Sequence, residues 1–211
     1  MRLVLLDFCD TFVSGQTADE FVNFCLYKRG KRPQGMRRYI LKLLERFRFV
    51  PQGTGKKRLL ARLRGVLESE VDEMATEFAT VLMSRLNHRV LKLVSEYRQK
   101  GYQIVIVSGG YETYLTKIAH KFQFHHVLGT RLQSANGVLT GKIEGVDCLG
   151  EEKIRRILES FREMNIDWKE SVAISDHISD RPLLRLVGVP YVVGVGESEP
   201  WVLALGAKVL R

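Results

Sequence analysis

The spacing of the apolar runs is the feature that most constrains the fold of this 211-residue chain. A short apolar run from Leu3 to Leu6 ends in the carboxylate of Asp7, a pattern typical of a buried parallel strand. About 90 residues with mainly helical periodicity follow. From residue 101 onward the pattern alternates between strands and helices, which predicts an α/β fold with a parallel sheet. The helical stretch therefore indicates a cap inserted after the first strand.

The predicted fold is a Rossmann-like parallel sheet core with an inserted helical cap. We assign residues 1–14 and 89–211 to the core and residues 15–88 to the cap. The Asn136-Gly137 dipeptide predicts a β-hairpin. The later strands are expected at Gln103–Val107, His126–Leu128, Arg131–Ser134, Val138–Ile143, Val172–Ser175, Tyr191–Val193 and Lys208–Leu210. The later helices are expected at Tyr111–Phe122, Glu151–Met164 and Pro182–Val187.

Positive charge is concentrated in one part of the chain, whose total net charge is +9. Residues 28–64 hold fourteen Lys or Arg and a single acid, Glu45, so this segment carries +13 and the remainder −4. The positive electrostatic potential of this segment favours an anionic partner: a phosphorylated substrate, an anionic membrane surface or nucleic acid. Residues 37–48 predict a basic amphipathic helix, which suits a solvated cap face, an anion funnel or membrane docking. Nucleic acid is not expected, because no recognised binding module is present.

The remaining composition indicates a cytoplasmic globular protein. No apolar run approaches the roughly 20 residues needed to span a bilayer. The N-terminus enters a strand-like run directly, so we expect no signal peptide. The chain has an odd number of cysteines, Cys9, Cys25 and Cys148, and no C-x-x-C pattern. This favours reduced thiols over a disulfide framework or a zinc site. Peripheral contact with a membrane is the alternative that the basic cap leaves open.

Polar residues stand at the ends of three predicted strands and at one helix start. Asp7 ends the first strand, Ser108-Gly109-Gly110 follows Val107, and Asp176 and Asp180 follow Ser175, while Lys153 begins a helix. Open parallel sheets bind ligands at the carboxyl ends of their strands. Carboxylates can hold Mg²⁺, and a hydroxyl, main-chain N–H groups and an ammonium can surround a phosphoryl group. Each feature alone is also a common turn or cap, so the prediction rests on their combination.

These segments resemble the haloacid dehalogenase superfamily of phosphohydrolases, specifically its phosphoserine-phosphatase-like branch. The resemblance is carried by Leu-Leu-Asp-Phe-Cys-Asp-Thr at 5–11, Val-Ser-Gly-Gly at 107–110, Cys-Leu-Gly-Glu-Glu-Lys at 148–153 and Ser-Asp-His-Ile-Ser-Asp at 175–180. It implies that Asp7 is the nucleophile that forms an aspartyl-phosphate. It also implies a Mg²⁺ site formed by Asp7, the main-chain carbonyl of Cys9 and Asp176, with Asp180 in support. Ser108 and Lys153 would hold phosphoryl oxygens, and the expected substrate-binding set is Gly109, Gln16 and Thr11.

The first motif departs from the family pattern Asp-x-Asp-x-Thr at its third position. There the family places its general acid/base, and this chain has Cys9. Loss of general acid–base catalysis typically slows a reaction by about 10²–10⁴-fold. Asp10 is the candidate replacement, with a loop-capping Asp as the alternative. Gln16 stands where phosphoserine phosphatases carry a Glu that reads the amino group of the substrate, so phosphoserine is not the expected substrate.

Two functions remain open at this point. The first is a Mg²⁺-dependent phosphomonoester hydrolase that acts through an aspartyl-phosphate on an anionic small molecule or a lipid phosphate. The second is a phosphate binder or phosphotransferase of the same fold, in which Cys9 impairs hydrolysis.

Overall fold

The structure is a computed structural model that describes residues 1–31 and 54–210. One seven-stranded sheet has the order β4-β3-β2-β1-β5-β6-β7. Its strands are β1 (Leu3–Leu6), β2 (Gln103–Tyr111), β3 (His126–Ala135), β4 (Val138–Glu144), β5 (Val172–Ser175), β6 (Val189–Val193) and β7 (Lys208–Leu210). Neighbouring strands are parallel except β3 and β4, which are antiparallel. The predicted α/β Rossmann-like parallel sheet is confirmed.

The described helices cover both faces of this sheet. They are α1 (Thr17–Lys28), α2 (Thr54–Leu60), α3 (Glu68–Leu82), α4 (His88–Gln99), α5 (Glu112–Phe122), α6 (Glu151–Ser160), α7 (Arg181–Arg185) and α8 (Pro200–Leu203). Helices α1 to α3 lie within residues 15–88, the predicted cap, which we call the inserted segment. The basic helix expected at residues 37–48 lies outside the described residues, and the limits of the cap stay a prediction. None of the described helices is long and apolar enough to span a membrane.

Strand β1 is central and buried on both faces. Leu3 and Leu5 pack in one apolar cluster together with Ile157 of α6, whereas Val4 and Leu6 pack in another. The two sets separate because successive side chains of a strand point to opposite faces of the sheet. The cluster of Val4 and Leu6 includes side chains of α1 and α3, so the inserted segment shares the main core. This explains the continuous apolar run before Asp7.

Several element boundaries differ from the sequence prediction. Strand β2 continues to Tyr111, with a register shift against β3 between Val107 and Tyr111, so Ser108-Gly109-Gly110 lies in the strand end and not at a helix start. The two strands expected on either side of Gly129 form one strand, β3. Helix α6 ends at Ser160, before the predicted end at Met164, and Phe161 directly after it is buried in the apolar core.

The β3–β4 hairpin forms as predicted. Its turn residues Asn136 and Gly137 have φ angles of 52° and 74°, the left-handed values that an Asn-Gly hairpin turn requires. The inserted segment then pairs with the outer side of β4. Gly65 N donates to Leu139 O over 2.9 Å, and Leu139 N donates to Val66 O over 2.8 Å. These bonds fix the chain that follows α2 against the sheet.

The two connections of the inserted segment to the sheet run side by side. Ser14 N donates to Arg85 O over 3.1 Å, and Asn87 N donates to Phe12 O over 2.9 Å. An isolated antiparallel bridge lies between these two bonds. The inserted segment therefore leaves and re-enters the sheet at one point.

Candidate active site

A cavity of about 450 Å³ opens at the carboxyl ends of β1, β2 and β5. All but one of the predicted site residues line it. The predicted residues in its wall are Asp7, Cys9, Asp10, Gln16, Ser108, Gly109, Lys153, Asp176 and Asp180. The other lining residues are Ala18, Asp19, Lys56, Leu149, His177 and Ser179. The exception is Thr11, which is fully buried.

Asp7 follows β1 directly, and its position is fixed from three sides. Its amide N–H donates to Ile174 O of β5 over 2.9 Å, which continues the parallel pairing by one residue. Its carboxylate accepts from Lys153 Nζ at 2.8 Å and from Thr11 Oγ1 at 3.0 Å. Burial raises the pKa of Asp7 to about 6, against the opposing effect of Lys153. Asp7 is therefore mainly ionised at neutral pH, which a nucleophile requires.

Lys153 joins Asp7 to a second carboxylate. Its Nζ donates to Asp180 Oδ2 at 2.7 Å, and the hydroxyl of Ser175 donates to the same oxygen at 2.7 Å. The Lys153 side chain is 3% exposed. Burial lowers the pKa of Lys153, but Asp7 and Asp180 raise it by more, so the ammonium group stays charged. Asp180 thus holds Lys153 toward the nucleophile.

Thr11 lies behind the carboxylates and links two of them. Its hydroxyl is 3.0 Å from Asp7 Oδ2 and 2.9 Å from Asp176 Oδ1. A hydroxyl has one proton, so only one of these oxygens can receive it at a time. The structure corrects the substrate contact expected for Thr11, because this side chain orients carboxylates and is not in the cavity wall.

The charges at this point fit a small divalent cation. The site holds three carboxylates and one buried ammonium, that of Lys153, which contacts Asp7 and Asp180. Asp176 contacts Thr11, whose single proton it shares with Asp7. Among the described residues, no group of three His, Cys, Asp or Glu side chains forms a complete cation site. Mg²⁺ commonly binds through one or two carboxylates and completes its shell with water and phosphate oxygens. Asp7 and Asp176 meet that requirement.

Ser108 and Gly109 also line the cavity, and the buried Gly110 follows them in β2. Ser108 is 1% exposed, and its Oγ accepts the N–H of Gly110 at 3.1 Å. A Cβ atom on Gly110 would lie 2.3 Å from the hydroxyl of Tyr114, so only glycine fits there. This close approach brings the hydroxyl of Tyr114 to 2.7 Å from Thr17 Oγ1.

Cys9 occupies the position of the expected acid/base. Its Sγ lies 3.1 Å from Thr17 Oγ1. Burial raises the pKa of the Cys9 thiol, and the charge of Asp7 adds to this shift. The thiol is therefore neutral at neutral pH and weak both as an acid and as a base.

Asp10 is exposed, and its carboxylate is bound within its own loop. One oxygen accepts the N–H of Gly15 at 2.6 Å and the other accepts Gln16 Nε2 at 2.7 Å. Asp10 has a left-handed φ of 56°, which Asp tolerates better than most residues. These contacts favour the loop-capping alternative for Asp10, and they occupy the amide of Gln16.

Comparison with known proteins identifies the family. The model of the haloacid dehalogenase-like hydrolases matches residues 4–185. This chain belongs to that family. A solved protein of unknown function from Bordetella pertussis Tohama I has the same fold, with a TM-score of 0.82 at 23% identity, covering 100% of this chain and 98% of that one.

Phosphatases are among the relatives of this haloacid dehalogenase-like hydrolase. A phosphoserine phosphatase from Archaeoglobus fulgidus is 26% identical over 188 residues, 89% of this chain and 51% of that protein. A histidinol-phosphatase from Neisseria meningitidis is 29% identical over 139 residues, 64% of this chain and 63% of that protein. The chain spans about half the length of several phosphoserine phosphatases that it matches.

Sequence reasoning missed one cation in the wall of the cavity. Lys56 of α2 donates to Gly109 O at 2.7 Å and to the two carboxylate oxygens of Asp147 at 2.7 and 2.8 Å. In the sequence Lys56 is one of fourteen basic residues in a segment without a motif. The positive charge of Lys56 indicates an anion site, but the sequence does not predict its contact with Asp147.

Proposed function

We propose that this chain is a Mg²⁺-dependent phosphomonoester hydrolase that acts through an aspartyl-phosphate on Asp7. The observation that carries the proposal is the Asp7 carboxylate, which is buried and held between Lys153 and Thr11 in the cavity wall. Its relatives are named for two different phosphomonoesters, which supports the class of reaction more than any one substrate.

In the proposed reaction, a carboxylate oxygen of Asp7 attacks phosphorus and the bond from phosphorus to the leaving oxygen breaks. Lys153 and Ser108 donate hydrogen bonds to the phosphoryl oxygens, which stabilises the charge that develops on them. Mg²⁺, held by Asp7, Asp176 and the carbonyl of Cys9, would neutralise further phosphoryl charge. Water then attacks the aspartyl-phosphate, which releases inorganic phosphate and restores Asp7.

The leaving oxygen needs a proton, and the neutral thiol of Cys9 is a weak source. The proposed hydrolase is therefore slow for esters of poorly acidic alcohols and faster for substrates whose leaving group is stable as an anion. The alternative function is a phosphate binder or a phosphotransferase of the same fold. Cys9 is the observation that favours this alternative.

An aryl phosphate assay with Mg²⁺ separates the two functions. Wild type should hydrolyse the ester and Asp7→Asn should lose the activity. Cys9→Asp should raise kcat by up to about 10²–10⁴-fold for an alkyl phosphate, and by less for the aryl ester, whose leaving group needs little protonation. Asp10→Asn is the matched control, because it changes an Asp of the same loop whose oxygens are bound to Gly15 and Gln16. An inactive wild type with an active Cys9→Asp variant would replace the proposal by the binder.

For the substrate class, we propose an anionic small molecule or a lipid phosphate. Leu149 lines the cavity and is 55% exposed, so an apolar group next to the phosphate would find a partner there. A series of alkyl phosphates tests this idea. The ratio kcat/KM should rise with chain length in wild type and lose that dependence in Leu149→Ser; a flat series would leave only polar substrates.

We also propose a cytoplasmic protein that contacts anionic membranes peripherally. Lys57, Arg58, Arg64 and Lys142 are exposed cations on the inserted segment and the β4 strand that it pairs with. Basic surfaces of this kind attract anionic headgroups, and salt weakens the attraction. Liposome flotation should show binding only with anionic lipid and at low salt. Binding that is equal for neutral vesicles, or absent from both, would remove the membrane contact.

A further inference from the structure

The ion pair of Lys56 and Asp147 connects the inserted segment to the cavity wall. The Lys56 side chain is 15% exposed and that of Asp147 is 23% exposed, so both are shielded from water. Asp147 also accepts the hydroxyl of Thr130 at 2.5 Å, and the same hydroxyl lies 3.2 Å from Gly109 O. Lys56, Thr130 and Asp147 thus form a polar cluster around one carbonyl, that of Gly109.

This carbonyl belongs to the peptide group that joins Gly109 to Gly110. The group is trans and planar, so its C=O and N–H point in opposite directions. Lys56 donates to the oxygen side at 2.7 Å, while the N–H of Gly110 donates to Ser108 Oγ at 3.1 Å. A rotation of this peptide plane would break the contacts on both sides together. The orientation of the plane therefore links Lys56 to Ser108.

The contact with Gly110 decides how Ser108 can act. A serine hydroxyl has one proton and two lone pairs, and here a lone pair accepts the Gly110 N–H. The hydroxyl proton remains for donation, either to the neighbouring Cys9 sulfur or into the cavity that Ser108 lines. A fixed peptide plane keeps Ser108 as a donor toward the position of a phosphoryl oxygen. If the peptide plane rotated, the Ser108 hydroxyl would lose this hydrogen bond and could turn to form another.

We propose that Lys56 and Asp147 are positioning residues that hold the Gly109–Gly110 peptide plane and thereby aim the hydroxyl of Ser108. Asp147 holds the Lys56 ammonium group against Gly109 O. The ammonium group in turn fixes the orientation of the peptide plane. Because Lys56 belongs to the inserted segment, phosphoryl binding depends on the docking of that segment against β2. The inference rests on the proposed function in one respect, the binding of a phosphoryl group by Ser108.

The first test measures the affinity for inorganic phosphate in the presence of Mg²⁺ by titration calorimetry. Lys56→Met and Asp147→Asn should each weaken binding by about tenfold, the effect of one charge-assisted hydrogen bond. Lys57→Met is the matched control, since it removes the same charge from an exposed position of the same helix. It should change binding less than about twofold. Equal losses in the two lysine variants would overturn the proposal.

A double-mutant cycle separates positioning from a general structural role. If Lys56 acts through Ser108, Lys56→Met should add nothing to the loss already caused by Ser108→Ala. An undiminished tenfold loss in the Ser108→Ala background would refute the linkage. Lys56→Arg retains the cation and should restore most of the wild-type affinity. Failure of Lys56→Arg to recover any binding would also count against the linkage.

The second test needs no phosphate. Hydrogen exchange of the Gly110 amide, followed by NMR, reports on the peptide plane directly. Asp147→Asn should accelerate this exchange about tenfold, and Lys57→Met should leave it unchanged. If wild type binds no phosphate, the proposed function fails while this measurement still tests the ion pair. Unchanged Gly110 exchange in both Lys56→Met and Asp147→Asn would overturn the positioning role.

Discussion

Replacing Asp7 by asparagine should stabilise the metal-free protein while it abolishes catalysis. Asp7 is 6% exposed, and burial raises its pKa from 3.8 to about 6 even though Lys153 opposes the shift. Folding therefore favours the protonated form of this carboxyl group. The stability it contributes is greatest below pH 3.8 and falls as the pH rises through about 6.

The size of this pKa shift gives the expected change in the free energy of unfolding. The difference between 3.8 and about 6 corresponds to about 3 kcal/mol of unfolding free energy when Asp7 is ionised in both states. Asparagine resembles the protonated carboxyl in shape and does not ionise, so Asp7→Asn should regain about 3 kcal/mol at pH 7.5. At pH 4.5 the gain should shrink to about 1 kcal/mol. In thermal unfolding at pH 7.5, the gain corresponds to a rise in Tm of about 6–12 °C.

Urea unfolding in the presence of a chelator, at pH 4.5 and pH 7.5, measures both values. Asp10→Asn is the control, because it changes an exposed carboxylate of the same loop and should bring no gain. A loss of stability in Asp7→Asn at pH 7.5 would refute the reasoning. An equal gain in stability at both pH values would also refute the reasoning, because a gain that does not come from the ionisation of Asp7 would not depend on pH.

Three further results are expected. Saturating Mg²⁺ should raise the Tm of wild type by about 5–10 °C and leave that of Asp7→Asn nearly unchanged; equal shifts would place the ion elsewhere. Gly110→Ala should lower the unfolding free energy by about 1–3 kcal/mol in urea, because its Cβ would lie 2.3 Å from the hydroxyl of Tyr114, and unchanged stability would contradict that packing. Gln16→Glu should cost about 1 kcal/mol by placing two carboxylates in contact, and Asp10→Asn should relieve it; strictly additive effects would show that the two side chains do not interact.

The sequence predicted which residues lie together at the site better than it predicted the boundaries of the elements. Asp7, Ser108 and Asp176 stand at strand ends, and parallel pairing brings those ends to one edge of the sheet whatever the lengths of the strands. The extension of β2 to Tyr111 was not predicted. It depends on pairing with β3 across a register shift, which local sequence does not encode.

The features of the site that the sequence did not predict depend on contacts that local sequence does not encode. Lys56 and Asp147 are 91 residues apart and meet only because the inserted segment pairs with β4. Asp10 was the candidate acid/base because of its type and its place near Asp7. The turn of its own loop places the N–H of Gly15 and the amide of Gln16 at its two oxygens, which favours the loop-capping alternative. Residue type gave the chemistry that Asp10 could perform, and backbone geometry gave its partners.

The hydrogen bonds at the base of the inserted segment make it a closed module of the polypeptide. Ser14 and Arg85 are already joined, so a short turn could replace the residues between them and leave the two connections in register. Closing a longer flexible loop adds only about 0.6 kcal/mol for each doubling of its length. Loop closure alone therefore allows insertions of very different size at this point, but side chains of α1 and α3 share the main core with β1, so a replacement must also cover that core. Such a replacement would change the part of the cavity wall that Gln16, Ala18, Asp19 and Lys56 form, while Asp7, Ser108 and Lys153 remain as they are.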